Sequence, residues 1–326
     1  MKLSILDQSP ISTNQTAEEA LKASMELAQF GDSLGYTRYW IAEHHALEGY
    51  ACSVPEVMLG YIGAHTKNIR IGSGAVLLPY YKPYKVAETY HLLSTLFENR
   101  IDIGIGRAPG GPANASMALS DNYLENVYKM PDLVAELIKY VDKESDELQA
   151  FPVPKIAPEL WMLGTSEKSA KFAAENGLAY CFGQFMSEQS GEEIIEYYRE
   201  EFQPRKSGQK PYVIITLSVI CAETKEEAED IALSSIVWEL QKEKGEGGEG
   251  VPSISEAKKY RSNLNDEASI ERIKSNRIIG NPSEVKRKLE EIQSKTGADE
   301  IMVVTITYSR KDKHRSYELL ATECMK

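Results

Sequence analysis

The sequence predicts an α/β fold of the (β/α)8 TIM barrel class. Eight short apolar strand patterns recur along 326 residues, most of them separated by helix patterns, which suits a closed barrel better than an open sheet. No G-x-G-x-x-G follows the first strand, where an open dinucleotide-binding sheet would carry it. A hydrophobic content of 42% is enough for a sizeable core at this length.

The first strand covers 3–6, and a helix over 17–33 follows, with Ala20, Leu21, Ala23, Leu27, Ala28 and Phe30 on a broad face and Gly35 as its stop. Strand 39–42 ends at Glu43, His44 and His45. A helix from 54 or 55 to 66, capped by Ser53, leads to the third strand at 69–78. That strand is thinned to Gly72, Ser73, Gly74 and Ala75, as expected where something flat approaches the backbone. Pro83 opens a helix over 83–96, with Val86, Ala87, Tyr90, Leu93 and Leu96 spaced by three and four. Strand 101–106 then completes a parallel βαβ unit, with Arg107 just past its carboxyl end.

The second half reads as a longer helix over 122–141, a polar stretch at 142–158, strands at 160–163, 179–182 and 212–222, and helices at 166–175, 192–202 and 225–242. KGEGGEG, 244–250, reads as a flexible surface excursion. A helix over 282–296, with Asn281 as cap and Gly297 as stop, an eighth strand at 300–305 and a last helix close the pattern. The expectation is one domain over 1–326, with excursions near 108–122 and 243–276.

A net charge of −12 argues against nucleic acid or an anionic membrane as partner. Cys52, Cys181, Cys221 and Cys324 are scattered without a C-x-x-C pair, so neither a zinc site nor a disulfide framework is expected. With no signal peptide and no run of eighteen apolar residues, the expected location is cytoplasmic.

In a barrel the site lies at the carboxyl ends of the strands, which gathers Asp7 to Ser9, Glu43 to His45, Gly74 to Leu78, Arg107, Gly164 to Ser169 and Gln184 around one mouth. Gly164, Thr165, Ser166 and Ser169 have the form of an anion site, where a strand gives way to a helix whose first turn offers free N–H groups and nearby hydroxyls. The plainer reading is that Ser166 only caps that helix. Arg107 could face the polar edge of a planar ring or a second anion, or make a structural ion pair. Gly104, Gly106, Gly110 and Gly111 are misspaced for a dinucleotide fingerprint and read as room for backbone approach and loop mobility. On extended backbone the side chains of His44 and His45 diverge, so at most one faces the mouth, as acid, base or hydrogen-bond donor. A metal pair is not expected, because H-E-x-x-H spacing is missing. Tyr80 and Tyr81 could wall an apolar pocket or simply pack.

YWIAEHH (39–45), GSGAVLLP with Pro83 after it, ENRIDIGIGR (98–107), LGTSEKSAKFAAENGL and IIGNPSEVKRKLEEIQSKTGADEIMV, in that order, resemble motifs of the bacterial luciferase-like flavin monooxygenases. The resemblance runs nearly end to end and weakens over 142–155 and 243–276. It implies a (β/α)8 barrel that binds FMN, is often a homodimer, and is fed reduced flavin by a separate NAD(P)H:flavin reductase. It places Thr165, Ser166 and Ser169 where the family holds the FMN phosphate, Gly74 and Ala75 at a non-proline cis peptide against the isoalloxazine, Arg107 beside that ring, and His44 on the histidine implicated in catalysis. Gly106 stands where the luciferase catalytic subunit has a reactive cysteine, so light emission is not expected.

The implied function is an FMN-dependent monooxygenase that uses reduced flavin and O2 to oxidise a small or apolar substrate as the oxygenase of a two-component system. The alternatives are a deazaflavin (F420)-dependent oxidoreductase on the same barrel and a flavin-binding protein without turnover. A phosphosugar aldolase is disfavoured because no strand end offers a Schiff-base lysine. The apolar faces at 55–66 and 84–96 are the expected pairing surface.

Overall fold

The computed structural model describes residues 1–145, 147–246, 250–264 and 266–325. The centre of the KGEGGEG run, 247–249, lies outside the described residues. The strands are β1 (Leu3–Asp7), β2 (Arg38–Ile41), β3 (Arg70–Leu77), β4 (Ile101–Gly106), β5 (Glu159–Gly164), β6 (Ala179–Phe182), β7 (Val213–Cys221), β8 (Ile278–Gly280) and β9 (Glu300–Val304). They pair in parallel in the order β6-β5-β4-β3-β2-β1-β9-β7, and β6 also pairs with β7, which closes an eight-stranded barrel. The short β8 hangs on the carboxyl end of β7 as a ninth strand outside the closed ring, and the sequence reading passed over it.

The helices are α1 (Ala17–Leu34), α2 (Pro55–His65), α3 (Pro83–Leu96), α4 (Ala113–Leu119), α5 (Tyr123–Tyr128), α6 (Met130–Val141), α7 (Glu167–Glu175), α8 (Glu192–Glu200), α9 (Lys225–Lys244), α10 (Ile254–Ser262), α11 (Glu267–Ser275), α12 (Pro282–Thr296) and α13 (Arg310–Cys324). Three boundaries differ from expectation. The helix expected over 122–141 breaks at Lys129, and α6 restarts with Pro131 in its first turn, where a missing N–H costs nothing. Ser53 does not cap α2, because Val54 takes that position without a side-chain bond. Both expected excursions contain helices, α4 in the first and α10 and α11 in the second. The latter two are capped by Ser253 and Asp266.

Strand alternation divides the core in two. Leu6, Trp40, Trp161, Cys181, Ile214, Met302 and Val304 fill the barrel interior, while Tyr39, Ile41, Ile71 and Ile103 face the helices. At the amino end of the strands the interior is polar. Arg38 donates to Glu300 and Asp102 at 2.8 Å each and lies over the Trp161 ring, Ser4 bonds Glu300, and Arg70 joins from outside through Asp102. The two carboxylates and the guanidinium satisfy one another in a site with almost no solvent contact, which closes the bottom of the barrel and leaves the carboxyl end as the approach.

All four cysteines are buried and unpaired, and no group of metal-ligating side chains occurs among the described residues. Nor is any described helix long and apolar enough to cross a membrane.

Candidate active site

The carboxyl end of β3 is the irregular part of the barrel wall. Its register with β4 shifts between Ser73 and Val76, and the Gly74–Ala75 peptide within that shift is cis. Gly104, across on β4, has to be glycine, because a Cβ there would collide with the Ser73 carbonyl oxygen. A Cβ at Gly72 would stand 2.7 Å from Asp102 Cβ and 2.8 Å from Trp40 Nε1, and one at Gly74 would stand 2.7 Å from Leu6 Cδ1 and 3.2 Å from Trp40 Cβ, so both glycines leave room for interior side chains on that side of the strand.

The loop after β2 decides the roles of the paired histidines. Trp40 points into the barrel, and beyond the end of β2 at Ile41 the side chains of Glu43 and His45 meet each other while His44 meets a different set of neighbours. The buried Glu43 carboxylate accepts from the Leu77 N–H at 3.0 Å, from the Tyr81 hydroxyl at 2.6 Å and from His45 Nε2 at 2.7 Å. His45 also donates its N–H to Gly110 O at 2.8 Å, so the glycines of the loop after β4 serve close backbone packing. Glu43 thereby ties the ends of β2 and β3 together, and the His45 N–H adds the loop after β4 through Gly110. Its role passed unread in the sequence, where nothing local marks a carboxylate that will accept three donors.

His44 stands apart. Its ring stacks on Tyr50, with centroids 4.1 Å apart and planes 16° apart, and its buried Nδ1 has no hydrogen-bond partner. Burial, with Lys242 and His45 nearby, pushes its pKa down to about 4, so the ring is neutral at pH 7. A neutral imidazole with one unmet nitrogen suits donating to, or accepting from, a bound molecule. Behind Tyr50 lie Trp238, tilted at 5.1 Å, and Lys242, whose Nζ is 3.8 Å from the Trp238 ring and donates to the Tyr50 hydroxyl at 2.8 Å. Tyr50, Trp238 and Lys242 were missed in the sequence because α9 reaches the loop after β2 from 192 positions away.

Across the barrel, β5 ends at Gly164 and α7 begins. Ser166 is the N-cap, and Ser166 and Ser169 bond each other's backbone N–H in a capping box. Ser169 Oγ also lies 3.0 Å from the Tyr180 hydroxyl and packs so closely on Gly164 that no side chain fits there. The capping reading is thus realised. The half-buried side chains of Thr165, Ser166 and Ser169 still stand at a helix start whose first-turn N–H groups point outward. Arg107 is exposed beyond β4 and, among the described residues, pairs with no carboxylate, while its carbonyl accepts from Tyr123 at 3.0 Å.

Two residues placed at the mouth by position alone turn elsewhere. Asp7 is buried against Tyr39 (2.7 Å) and Lys313 (3.3 Å). Burial raises its pKa, but Lys313 and the bonds from Ser24, Tyr39 and Ser9 outweigh that and hold it below the usual value. Gln184 spends its amide on Ser187, Gln189 and Gly191, and so shapes the loop after β6.

Comparison with known proteins gives a consistent result. Residues 1–300 match the family model described as luciferase-like monooxygenase. The chain is 41% identical over 325 residues to protein YceB of Bacillus subtilis, covering 98% of both, and 34% identical over 328 residues to N-acetyl-S-alkylcysteine monooxygenase of the same organism, covering 98% of this chain and 97% of that one. The apo-MsnO8 crystal structure superposes with a TM-score of 0.89 at 33% identity, over 99% of this chain and 98% of the other. More distant likenesses show the fold alone. They include the FMN complex of the oxygenating constituent of 3,6-diketocamphane monooxygenase from Pseudomonas putida (TM-score 0.72, 19% identity, 99% and 97% covered) and an F420-dependent secondary alcohol dehydrogenase (TM-score 0.67, 13% identity, 98% and 97% covered).

Proposed function

Because the chain belongs to the luciferase-like monooxygenase family, we propose that it is an FMN-dependent oxygenase that uses reduced flavin and O2 to oxidise a small or apolar organic substrate. The observation that carries this reading is His44: a neutral imidazole at the barrel mouth with a buried nitrogen that no protein group satisfies. An imidazole nitrogen left without a protein partner at a barrel's carboxyl end is free to meet a bound molecule.

The residues present fit a flavin. Thr165, Ser166 and Ser169 at the start of α7 would hold its phosphate, with the helix dipole favouring the negative charge. Gly74 and Ala75 would meet the ring face, and Arg107 would lie beside it. Reduced FMN, when bound, supplies the activation of O2 and the oxygen transfer. His44 holds or moves a proton at Nδ1. Glu43 and His45 keep the ends of β2, β3 and β4 in register around the ring, and the loops after β2 and β4 exclude water.

Reduced flavin would come from a separate NAD(P)H:flavin reductase. The oxygenase component described for 3,6-diketocamphane, which shares the fold, supports such an arrangement. The chain would act as a homodimer through α2 and α3, whose outer faces expose Val57, Tyr61, Leu92 and Leu96.

The test is a titration of the purified protein with FMN, with reduced FMN under anaerobic conditions, and with a deazaflavin, followed by O2 uptake in the presence of a flavin reductase. Binding of FMN or its reduced form supports the proposal. Binding of deazaflavin alone would replace oxygen chemistry with hydride transfer on the same barrel.

A further inference from the structure

The loop after β4 has little means of holding its own shape. Residues 107–112 read Arg-Ala-Pro-Gly-Gly-Pro, a run whose prolines lack an N–H and whose glycines leave the backbone wide freedom, and they precede the first turn of α4. Groups from outside hold it instead. The Tyr123 hydroxyl donates to Arg107 O at 3.0 Å, the Tyr80 hydroxyl to Pro109 O at 2.6 Å, and the His45 N–H to Gly110 O at 2.8 Å. The backbone just past Arg107 is thus pinned carbonyl by carbonyl, by three residues that lie outside the run.

The two tyrosines act as one clasp. Tyr80 is buried in the short turn Leu78–Tyr80 at the end of β3, and Tyr123 opens α5. Their rings stack with centroids 4.7 Å apart and planes 23° apart. Asn126, on the same helix, donates Nδ2 to Pro79 O at 2.8 Å, so α5 is docked on the turn that carries Tyr80. Tyr80 has one hydroxyl proton and spends it on Pro109, whose carbonyl can only accept, so the Ser116 hydroxyl at 2.7 Å donates to Tyr80. The clasp therefore grips α4 as well as the run before it. What it fixes is the backbone of an exposed arginine that pairs with no carboxylate among the described residues, so the reach of that guanidinium is set by where its own backbone is held. A phenylalanine at either position would keep the packing of the ring and lose only the carbonyl bond, which separates the clasp from the core.

We propose that Tyr80 and Tyr123 are positioning residues, which clamp the backbone of Arg107 at the barrel mouth so that its side chain is held in place to meet the flavin ring. This rests on the flavin reading for what Arg107 meets, whereas the clasp itself needs no flavin. It acts through Arg107 and touches no reacting atom.

The test compares the full chain with Tyr80→Phe and Tyr123→Phe, each alone and combined with Arg107→Ala, by amide hydrogen exchange of 108–119 without flavin and by titration with FMN and riboflavin. Exchange in 108–119 should quicken about tenfold or more in both tyrosine variants while the barrel strands keep their protection. Both flavins should bind about fivefold or more weakly, since the ring is common to them, and in the Arg107→Ala background the tyrosine substitutions should change affinity by less than about twofold. That non-additivity is what a general loss of packing would not produce. The proposal falls if exchange in 108–119 is unchanged, if the tyrosine substitutions weaken flavin as much without Arg107 as with it, or if FMN alone is weakened, which would assign the loop to the phosphate. A wild type that binds no flavin would sink the oxygenase reading, and exchange alone would then decide whether the clasp exists. Should Tyr80→Phe melt early, Tyr123→Phe, at a half-buried position, carries the same test.

Discussion

The Glu43 carboxylate accepts the Leu77 N–H at 3.0 Å, so a residue of the loop after β2 holds the end of β3 immediately beyond the Gly74–Ala75 peptide. The same carboxylate carries His45 and Tyr81. Replacing it by alanine leaves three donors without their acceptor in a site closed to water. Glu43→Ala should therefore lose about 3 to 5 kcal/mol of stability and weaken FMN, while Glu43→Gln keeps part of both. Urea unfolding and flavin titration of the two variants check this, and an Ala variant as stable as wild type would remove Glu43 from the site's support.

Ser166 and Ser169 cap α7 whether or not they meet a phosphate, so stability alone cannot tell the roles apart. Affinity for two flavins can. Ser166→Ala with Ser169→Ala should cost about 1 to 2 kcal/mol of stability from the cap and lower FMN affinity by about tenfold or more, with riboflavin, which lacks the phosphate, nearly unaffected. Equal losses for both flavins would leave the serines as a cap alone.

His44 sets an acid sensitivity whose sign follows from its environment. Burial, Lys242 and His45 bring its folded pKa to about 4, below the ordinary 6.5. Between those values the unfolded chain takes up a proton that the folded chain refuses, so this contribution is complete above about pH 6.5 and fades as pH falls toward 4. His44→Gln removes the titration. Urea midpoints at pH 7.5 and pH 5 should fall more in wild type than in the variant, and parallel losses would contradict the buried, neutral assignment.

Val57 and Tyr61 on α2, and Leu92 and Leu96 on α3, are one turn apart on each helix and exposed, Val57 by 68% and Leu96 by 62%. An apolar surface of this kind is normally covered. Light scattering at micromolar concentration should give twice the chain mass, and Val57→Lys with Leu96→Lys should give the single chain. A wild-type monomer would discard the pairing.

The barrel was legible in the sequence because its signals are local. Short β-branched strands, helix faces at spacings of three and four, and caps such as Asn281 and Gly297 each depend on neighbours a few residues away; the Asn281 and Gly297 caps formed where expected, while the Ser53 cap and the unbroken helix over 122–141 did not. That the two histidines take different partners, Glu43 for His45 and the Tyr50 ring for His44, depends on groups that the local sequence does not mark. The charged floor of Arg38, Asp102 and Glu300 gave no sequence signal, because its members stand first or second in strands up to 262 positions apart and meet only when all eight strands close. Tyr50, Trp238 and Lys242 are likewise unremarkable in sequence and come into contact only when α9 crosses to the loop after β2. Sequence by itself determined the elements and their order, since these follow from short-range sterics and hydrophobic period. The tertiary structure decided which polar atoms are satisfied and which are left facing the mouth, because that depends on groups distant along the chain meeting within hydrogen-bond reach.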